Sequence, residues 1–335
     1  MSEPKLKIPK PFDISKRVAM EAFQKVKANQ GAADVDGESI EKFEKDLKRN
    51  LYRIWNRMSS GGYFAPSICV VQIPKKAGGS RILGVPTVSD RTAQTVVKIY
   101  LELEVEPIFH PDSYGYRPGR SALDALGRTR ERCWKFDWVI DLDIRAFFDS
   151  IDHDLMLAAV AKHTKLGWVL LYIERWLKAP LEKEDGTILQ RDRGTAQGSS
   201  ISPLLANLFL HYAFDVWMSR NFPGCPFERY ADDRVIHCTT EKEAKDILAA
   251  LGKRLAQLGL ELHPDKTAIV YCKDANRKGP YEHEQFDFLC YRFGPRLAKN
   301  RRDQFFVGFL PPRRYAARSN DGVSTSTVTM TLKDS

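Results

Sequence analysis

Three aspartates occupy the ends of predicted β-strands, and their carboxylates have the chemistry needed to bind divalent cations. Asp143 lies near the end of the apolar stretch 136–144, and Asp232 and Asp233 lie at the tip of a predicted hairpin, 227–238. Two carboxylates about 4 Å apart repel by roughly 4 kcal/mol at an effective dielectric constant of about 20, unless a cation lies between them. Mg²⁺ prefers carboxylate oxygens and keeps positions open for phosphate groups. Two such ions about 4 Å apart can clamp an in-line phosphoryl transfer, which is the chemistry these residues favour.

The aspartate pair does not decide the matter by itself. An isolated Asp-Asp dipeptide is more often a solvated turn, and Asp149 and Asp152 could equally be surface charges, as could Asp141. The strand that carries Asp143 gives a stronger indication, because strand residues alternate between two faces. The predicted faces hold Trp138, Ile140 and Leu142 on one side and Val139, Asp141 and Asp143 on the other.

Strands and helices mix irregularly along the chain, and predicted hairpins outnumber β-α-β units. Strands at 67–74 and 82–85 flank the basic turn 75–81, which predicts a hairpin with cations at its tip. Helices are predicted at 18–26, 39–58, 90–105, 121–133, 154–163, 168–177 and 203–220, and after the Thr240–Glu243 capping box. Further strands are predicted at 260–262, 267–272 and 286–293. The fold class is therefore α+β with a largely antiparallel sheet.

Composition and charge restrict the class of protein. The chain has 335 residues, 43% hydrophobic and 28% charged, which is typical of soluble globular proteins with a real core. No apolar run of 18 residues exists, and the N-terminus lacks the apolar core of a secretory signal. We therefore expect a cytoplasmic protein. The formal net charge of +9 favours a polyanionic partner such as nucleic acid.

Six cysteines stand at positions 69, 133, 225, 238, 272 and 290. None forms a Cys-x-x-Cys pair, and no histidine lies at zinc-site spacing from them. We therefore interpret them as buried small apolar residues in a reducing cytosol.

Eight stretches of the chain resemble motifs of the reverse transcriptases encoded by bacterial group II introns, the intron-encoded reverse transcriptase/maturase family. The resemblance extends from about Ala22 to Phe309. In the family's order, the stretches are VKANQGAADVDGESIEKFE, IPKKAGGSRILGVPTVSDR, SYGYRPGRSALDAL, DLDIRAFFDSIDH, QGSSISPLLANLFL, RYADD, GLELHPDKT and FDFLCYRF. Any single tetrapeptide among them could arise by chance, but eight stretches in order argue for this family.

The resemblance implies roles for the residues around the aspartates. Asp143, Asp232 and Asp233 match a catalytic triad that holds two Mg²⁺ ions, with Mn²⁺ as a substitute, and Asp233 matches the least essential member. The backbone carbonyl of Ile144 matches a further metal contact. Phe148 matches an aromatic residue that presses on C2′ of the sugar and so favours dNTPs over NTPs. Without the motif, Phe148 would more often be a core residue.

Other positions match residues that bind the incoming nucleotide or the template. Gln197 and Gly198 match a loop that contacts both, and glycine permits close backbone approach. Cations of the predicted hairpin tip match residues that grip the triphosphate, although such a tip could also be a solubilising turn. The implied nucleotide-binding residues are Lys75, Lys76, Arg81, Phe148, Gln197, Gly198 and Lys266, and the implied template contacts are Arg117 and Arg120.

The chain departs from the family pattern at several places. The family usually has Pro where Ala196 stands, an apolar residue where Arg234 stands, and Gly in the primer-grip turn where Cys290 stands. Arg234 could pair with a carboxylate or a phosphate, or perturb the hairpin. If the primer-grip turn requires a positive φ, Cys290 costs about 1 kcal/mol or more. After Phe309 no helical thumb is recognisable, and the Ser/Thr-rich tail predicts a truncated, disordered C-terminus.

We therefore expect a right-hand polymerase palm and fingers at 61–293, an N-terminal helical extension at 1–60, and a truncated thumb start with a disordered basic tail at 294–335. The expected activity is RNA-directed DNA polymerisation for a group II intron mobile element. Its partners would be an RNA template, a DNA or RNA primer and dNTPs. We expect the template to be intron RNA, and we expect no membrane partner. A decayed inactive fragment and an RNA-binding, maturase-like protein without polymerase activity stay open. Retron and other bacterial reverse transcriptases also stay open, and the oligomeric state is not indicated.

Overall fold

A computed structural model describes residues 10–29, 39–74, 80–183, 185–299 and 303–311, and it describes the backbone alone for 72–74 and 80–82. Within these residues the α-helices are α1 (Lys16–Ala28), α2 (Ile40–Lys45), α3 (Leu47–Ser59), α4 (Val88–Val105), α5 (Ala122–Cys133), α6 (Phe147–Ser150), α7 (His153–Ala161), α8 (Gly167–Leu177), α9 (Ser202–Leu210), α10 (Val216–Asn221) and α11 (Glu241–Ala256). The strands are β1 (Ile68–Pro74), β2 (Ser80–Val85), β3 (Trp138–Leu142), β4 (Leu181–Glu182), β5 (Ile188–Leu189), β6 (Phe227–Tyr230), β7 (Asp233–Cys238), β8 (Ala268–Tyr271), β9 (Phe286–Phe288), β10 (Tyr291–Lys299) and β11 (Phe305–Leu310). A short 3-10 helix (Glu106–Ile108) and a π-helical segment (His211–Asp215) complete the helical elements that are described.

The chain divides into two compact units, and each is described by itself. Unit 1 comprises residues 1–109 and 146–214, and unit 2 comprises residues 110–145 and 215–335. All three candidate catalytic aspartates belong to unit 2. The domain boundaries predicted from the sequence stay predictions.

In unit 1, a buried carboxylate on α4 joins several elements. The helix begins after Thr87, whose hydroxyl accepts a hydrogen bond from the Asp90 amide. The Asp90 carboxylate accepts hydrogen bonds of 2.8 Å from the Tyr63 hydroxyl, the Trp176 indole and the Gln94 amide. Burial raises the pKa of Asp90 in spite of these donors. This network fixes α4 against α8 and against the segment that precedes β1.

The sheet of unit 1 has the strand order β2-β1-β4-β5. Strands β1 and β2 pair antiparallel from Cys69 opposite Val85 to Pro74 opposite Ser80, which confirms the predicted hairpin. A short parallel pairing joins β1 to β4, and β4 pairs antiparallel with β5.

Unit 2 is built on an antiparallel sheet of order β6-β7-β3-β8. The central strand β3 pairs with β7 on one side and with β8 on the other. Val139 of β3 is fully buried and packs with Val235 and Val270 of the neighbouring strands in one hydrophobic cluster. Because strand residues alternate, Asp141 and Asp143 point to the same face of the sheet as Val139.

A second sheet of unit 2 has the order β11-β10-β9 and is also antiparallel. Residues 286–293, predicted as a single strand, instead form a hairpin whose two-residue turn is Leu289-Cys290. Strand periodicity concealed this turn, because neither residue is a usual turn former, although the resemblance placed the primer-grip turn at Cys290. Strand β11 was not predicted, and its Phe309 is buried in the same cluster as Val139.

Three other predictions were wrong in detail. The helix predicted at 39–58 is interrupted at Asp46, whose backbone leaves the helical region with φ −122° and ψ 41°. The helix predicted at 203–220 contains the π-helical segment between α9 and α10. Residues 260–262 form only an isolated bridge, in which Leu262 lies opposite Ile144. These deviations arise from tertiary packing, which local periodicity does not report.

The cysteine prediction was partly wrong. Cys133, Cys225, Cys238 and Cys272 are buried as expected, but Cys69 is half-buried and Cys290 is exposed. The α+β class with largely antiparallel sheets is confirmed. In the described part of the chain, none of the helices has the length and apolar character that crossing a lipid bilayer requires.

Candidate active site

The pairing of β3 with β7 brings the distant aspartates to one end of one sheet. The last paired residues are Leu142 and Arg234, so Asp143 and Asp233 are the next positions outward. Tyr230 pairs with Asp233 across a two-residue turn, which places Asp232 at the tip of the β6–β7 hairpin. Directly opposed residues of an antiparallel pair have Cβ atoms about 4.5–5.5 Å apart. Two elements anchored in one sheet therefore carry the three carboxylates.

The carboxylates at this end of the sheet influence one another electrostatically. Burial raises the pKa of Asp233 to about 6, and the nearby charges of Asp232 and Asp143 contribute in the same direction. Burial also raises the pKa of Asp141 to about 8, with contributions from Asp233, Asp143 and Asp287. The site is therefore a concentration of negative charge that favours a cation.

The turn that carries Asp232 adopts an unusual backbone conformation. Ala231, the first turn residue, has a φ of 56°, which is in the left-handed region that favours glycine. An Arg229 guanidinium nitrogen donates to the Ala231 carbonyl at 3.2 Å, and Nη2 of Arg234 donates to the Asp232 carbonyl at 2.7 Å. Two arginines thus hold the backbone of the turn from within the protein.

Both arginines are fully buried. Arg229 forms two hydrogen bonds of 2.7 Å with the buried carboxylate of Asp215. Burial lowers the pKa of Arg234 to about 10, and the neighbouring Arg229 charge acts in the same direction. The sequence left open whether Arg234 pairs with an anion or perturbs the hairpin; its guanidinium bonds to the hairpin's own backbone.

A glycine of the preceding loop packs against the same turn. A Cβ atom on Gly115 would lie 2.4 Å from the Ala231 amide nitrogen, so no larger residue fits without a shift. Tyr116, the next residue, has a φ of 57° and an exposed ring whose centroid lies 6.2 Å from that of Tyr230.

Asp143 is held by the segment that leads into β8. The Lys266 ammonium lies 3.2 Å from Oδ2 of Asp143, with both side chains partly exposed. The His263 amide donates to the Asp143 backbone carbonyl at 2.9 Å. Ile144 is buried and forms the bridge to Leu262. The structure therefore brings the predicted residues Asp143, Asp232, Asp233 and Lys266 together in unit 2.

The turn between β9 and β10 also contacts an aspartate. The Leu289 amide donates to Oδ2 of Asp233 at 3.2 Å. Leu289 and Cys290 have φ values of 51° and 67°, so the turn does require positive φ at the position where the family usually has Gly. The left-handed conformation costs a non-glycine residue about 1–2 kcal/mol.

Three of the predicted nucleotide-binding residues have described side chains in unit 1. Phe148 lies on α6, half-buried, with its ring centroid 5.4 Å from that of Phe147. The Gln197 carbonyl accepts a 2.7 Å hydrogen bond from the Gly84 amide. A Cβ atom on Gly198, whose φ is 104°, would lie 2.3 Å from the Gly84 carbonyl oxygen. Glycine is therefore required at position 198 for this loop to pack on β2.

The remaining predicted residues lie elsewhere. Lys75 and Lys76 lie outside the described residues, as does the side chain of Arg81. Arg117 donates through Nη1 to the backbone carbonyls of His110 and Ser113, at 2.7 Å each, so it stabilises its own loop. The exposed Arg120 has its guanidinium 5.9 Å from the Tyr114 ring centroid. Ala196, where the family usually has Pro, packs with Ile68 and Ala179.

Sequence reasoning missed three features of this site. Asp141 was grouped with possible surface charges, although its position two residues before Asp143 already places it on the same face. The buried ion pair of Arg229 with Asp215 gave no signal, because the two residues belong to separate elements. Gly115 gave a weak sequence signal, since glycine in a tight loop often marks a close backbone approach.

The donor atoms suit magnesium. Carboxylate oxygens of Asp143, Asp232 and Asp233, with the backbone carbonyl of Ile144, are the hard oxygen ligands that Mg²⁺ prefers. The Lys266 ammonium at Asp143 shows that this carboxylate accepts a cationic partner.

Much of the chain is similar to proteins of known structure or sequence. The solved telomerase of Candida albicans, in complex with a fragment of telomeric RNA, superposes with a TM-score of 0.54 at 13% identity, covering 74% of this chain and 50% of that one. Apo telomerase of Candida tropicalis gives a TM-score of 0.51 at 14% identity, covering 72% and 59%. These likenesses agree with the right-hand polymerase fold expected from the sequence.

A sequence profile of the reverse transcriptase (RNA-dependent DNA polymerase) family matches residues 73–293, more than half of the chain. The chain belongs to the reverse transcriptase family. Group II intron-encoded protein LtrA of Lactococcus lactis is 33% identical over 57% of this chain and 32% of its own length. The 91 kDa protein of the cob intron of Schizosaccharomyces pombe is 32% identical over 60% of this chain and 25% of its own. The chain thus spans a quarter to a third of these relatives.

Protein YkfC of Escherichia coli is 28% identical, and the match covers 72% of each chain. Together with the intron-encoded relatives, it confirms the resemblance to group II intron reverse transcriptases and maturases.

Proposed function

We propose that the chain is an RNA-directed DNA polymerase that adds dNTPs to a DNA or RNA primer on an RNA template. One observation carries this proposal: the strand register places Asp143 beside Asp233, at the tip of the hairpin that holds Asp232. Family membership supports the same class of reaction.

In this proposal Asp143, Asp232 and Asp233, with the Ile144 carbonyl, hold two Mg²⁺ ions. Bound ions of this kind lower the pKa of an attacking 3′-hydroxyl and stabilise the departing pyrophosphate. Arg229 and Arg234 hold the backbone of the turn that carries Asp232, and the Leu289 amide bonds to the Asp233 carboxylate. The ligands therefore need little rearrangement when the ions bind. The Lys266 ammonium, which lies beside Asp143, would transfer its hydrogen bond to a triphosphate oxygen when a nucleotide binds.

Nucleotide selection is assigned to unit 1. Phe148 excludes a 2′-hydroxyl, Gln197 and Gly198 contact the base pair being formed, and Lys75, Lys76 and Arg81 bind the triphosphate. Arg117 supports the loop from which Arg120 reaches the template phosphates. Template RNA, for which intron RNA is the expected source, would be bound chiefly through phosphates, so affinity should fall steeply with salt.

Primer extension on an RNA template tests the proposal. We expect wild type to incorporate dNTPs only with Mg²⁺ or Mn²⁺, and Asp232→Ala to lose at least about a thousandfold in rate, because its ligand acts directly on the reacting atoms. The matched control is Asp246→Ala, at an exposed aspartate on α11. Equal incorporation by wild type and Asp232→Ala would reject the site. A folded wild type that incorporates nothing would instead favour an inactive fragment or an RNA-binding protein.

Sugar selectivity tests the assignment of Phe148 separately. Phe148→Ala should raise kcat/KM for NTPs relative to dNTPs by about tenfold or more, because the steric block at C2′ is removed. An unchanged ratio, with dNTP incorporation retained, would assign Phe148 to the core.

A further inference from the structure

The end of the β6–β7 hairpin away from Asp232 brings together three metal-ligating side chains. The Sγ atoms of Cys225 and Cys238 and a carboxylate oxygen of Glu243 all lie within 4.8 Å of one another. Both cysteines are buried and Glu243 is half-buried. From these contacts we propose that Cys225, Cys238 and Glu243 form a structural Zn²⁺ site at the base of the catalytic hairpin.

The hairpin register explains why the two thiols meet. Phe227 lies opposite Ile236, and the His237 amide donates to the Pro226 carbonyl at 2.8 Å. One step further along, Cys225 lies opposite Cys238. The two thiols share a hydrogen bond, which together with burial raises the pKa of Cys238. A spacing of twelve intervening residues is unlike a sequence zinc motif, so only the fold reveals the pair.

The third ligand comes from the helix that follows the hairpin. Glu243 lies in the first turn of α11, and its Oε2 accepts a hydrogen bond from the Thr239 amide at 2.7 Å. That bond orients the carboxylate and leaves its second oxygen for a cation, as outer hydrogen bonds commonly do for metal ligands.

The distances between the three ligand atoms suit zinc if the side chains move slightly closer together. Zinc–thiolate bonds of about 2.3 Å in a tetrahedron separate two sulfur ligands by about 3.8 Å. The observed upper bound of 4.8 Å therefore requires a movement of at most about 1 Å. Two thiolates and one carboxylate would leave the occupied site with one net negative charge, and water would take the fourth position. Soft thiolates select zinc over the magnesium that suits the aspartates.

Unit 2 contains a matched pair of thiols that lacks the third ligand. Cys133 and Cys272 are both buried, and burial with the hydrogen bond from Cys272 raises the pKa of Cys133. Among the described residues, no His, Cys, Asp or Glu completes a set of three around them. The structure thus provides a control in which two buried thiols touch without a site.

Metal content and cobalt spectra test the proposal. Protein purified from zinc-supplemented cells should contain one zinc per chain by mass spectrometry. Replacing zinc with Co²⁺ should give thiolate-to-cobalt absorption in wild type and in Cys133→Ala/Cys272→Ala. The band should be absent in Cys225→Ala/Cys238→Ala, and Glu243→Gln should weaken Zn²⁺ affinity at least about tenfold while keeping its bond to Thr239. Circular dichroism checks that each variant is folded.

Counting thiols in denaturant without a reductant separates the alternatives. Six reactive thiols with one zinc released on unfolding support the site. Six thiols without zinc would overturn it and leave plain packing, and four thiols would overturn it in favour of a Cys225–Cys238 disulfide. Equal zinc content in Cys225→Ala/Cys238→Ala and wild type would place the ion elsewhere and also overturn it.

Discussion

Two tight turns of unit 2 meet the same conformational difficulty in different ways. The turn at Ala231 and the turn at Leu289-Cys290 both place non-glycine residues at positive φ. Ala231 is buried, and its turn is held by Arg229 and Arg234, whereas Cys290 is exposed. At the turn carrying Asp232, buried hydrogen bonds from the protein interior hold the strained backbone in place. At the other turn the strain is tolerated, with the Leu289 amide bonded to Asp233.

The largest expected effect follows from removing the buried support of the first turn. Arg229→Met leaves the Asp215 carboxylate buried without its bidentate partner, which should lower the free energy of unfolding by about 3–5 kcal/mol. Urea denaturation measures this. The matched double variant, Arg229→Met/Asp215→Leu, should recover most of the loss, because both charges of the ion pair are then removed together. A loss below about 1 kcal/mol for Arg229→Met would contradict the role given to this ion pair.

A smaller effect is expected where the loop packs on the turn. Gly115→Ala puts a methyl group against the Ala231 amide, so the free energy of unfolding should fall by about 1–3 kcal/mol and primer extension should slow. Gly127→Ala is the control, since a Cβ there meets nothing within 4 Å. That change, inside α5, should stabilise by up to about 1 kcal/mol. Equal effects of the two substitutions would show that the contact with the turn is unimportant.

The smallest effect concerns the exposed turn. Cys290→Gly removes the left-handed penalty of about 1–2 kcal/mol but adds the chain entropy of glycine, so the net gain should be about 0.5–1 kcal/mol. The shift of the urea midpoint at constant slope measures it. Destabilisation by Cys290→Gly would mean that side-chain contacts, rather than backbone strain, decide the stability of this turn.

The sequence predicted the parts of the fold that depend on local pattern. The antiparallel hairpins at β1–β2 and β6–β7 and the alternating faces of β3 follow from periodicity alone. Periodicity missed the turn at Leu289-Cys290, which only the resemblance implied, because its residues carry no local turn signal. Helix α2 was joined to α3 because the break at Asp46 lies in a charged helical sequence. Nothing local indicated that Asp215 would meet Arg229, or that Cys225 would meet Cys238, since these contacts exist only through the fold.

At the candidate site, too, some features could be predicted from the sequence and others only from the fold. Motif resemblance implied the three aspartates and Lys266, and the strand register explains how residues 143 and 232–233 reach one end of a sheet. Asp141 was grouped with possible surface charges, because a single carboxylate on a strand cannot be assigned a role until its burial and neighbours are known. The support supplied by Arg229, Arg234 and Gly115 could not be inferred, because it depends on buried contacts between separate elements.

Binding of Mn²⁺, followed by electron paramagnetic resonance in the absence of nucleic acid, tests the central claim most directly. The carboxylates of Asp143 and Asp232 are proposed to share the ions, so wild type should bind Mn²⁺, and Asp143→Asn and Asp232→Asn should each weaken binding by at least about tenfold. Mg²⁺ should displace the bound Mn²⁺. Unchanged Mn²⁺ affinity in the folded double variant Asp143→Asn/Asp232→Asn would contradict the account.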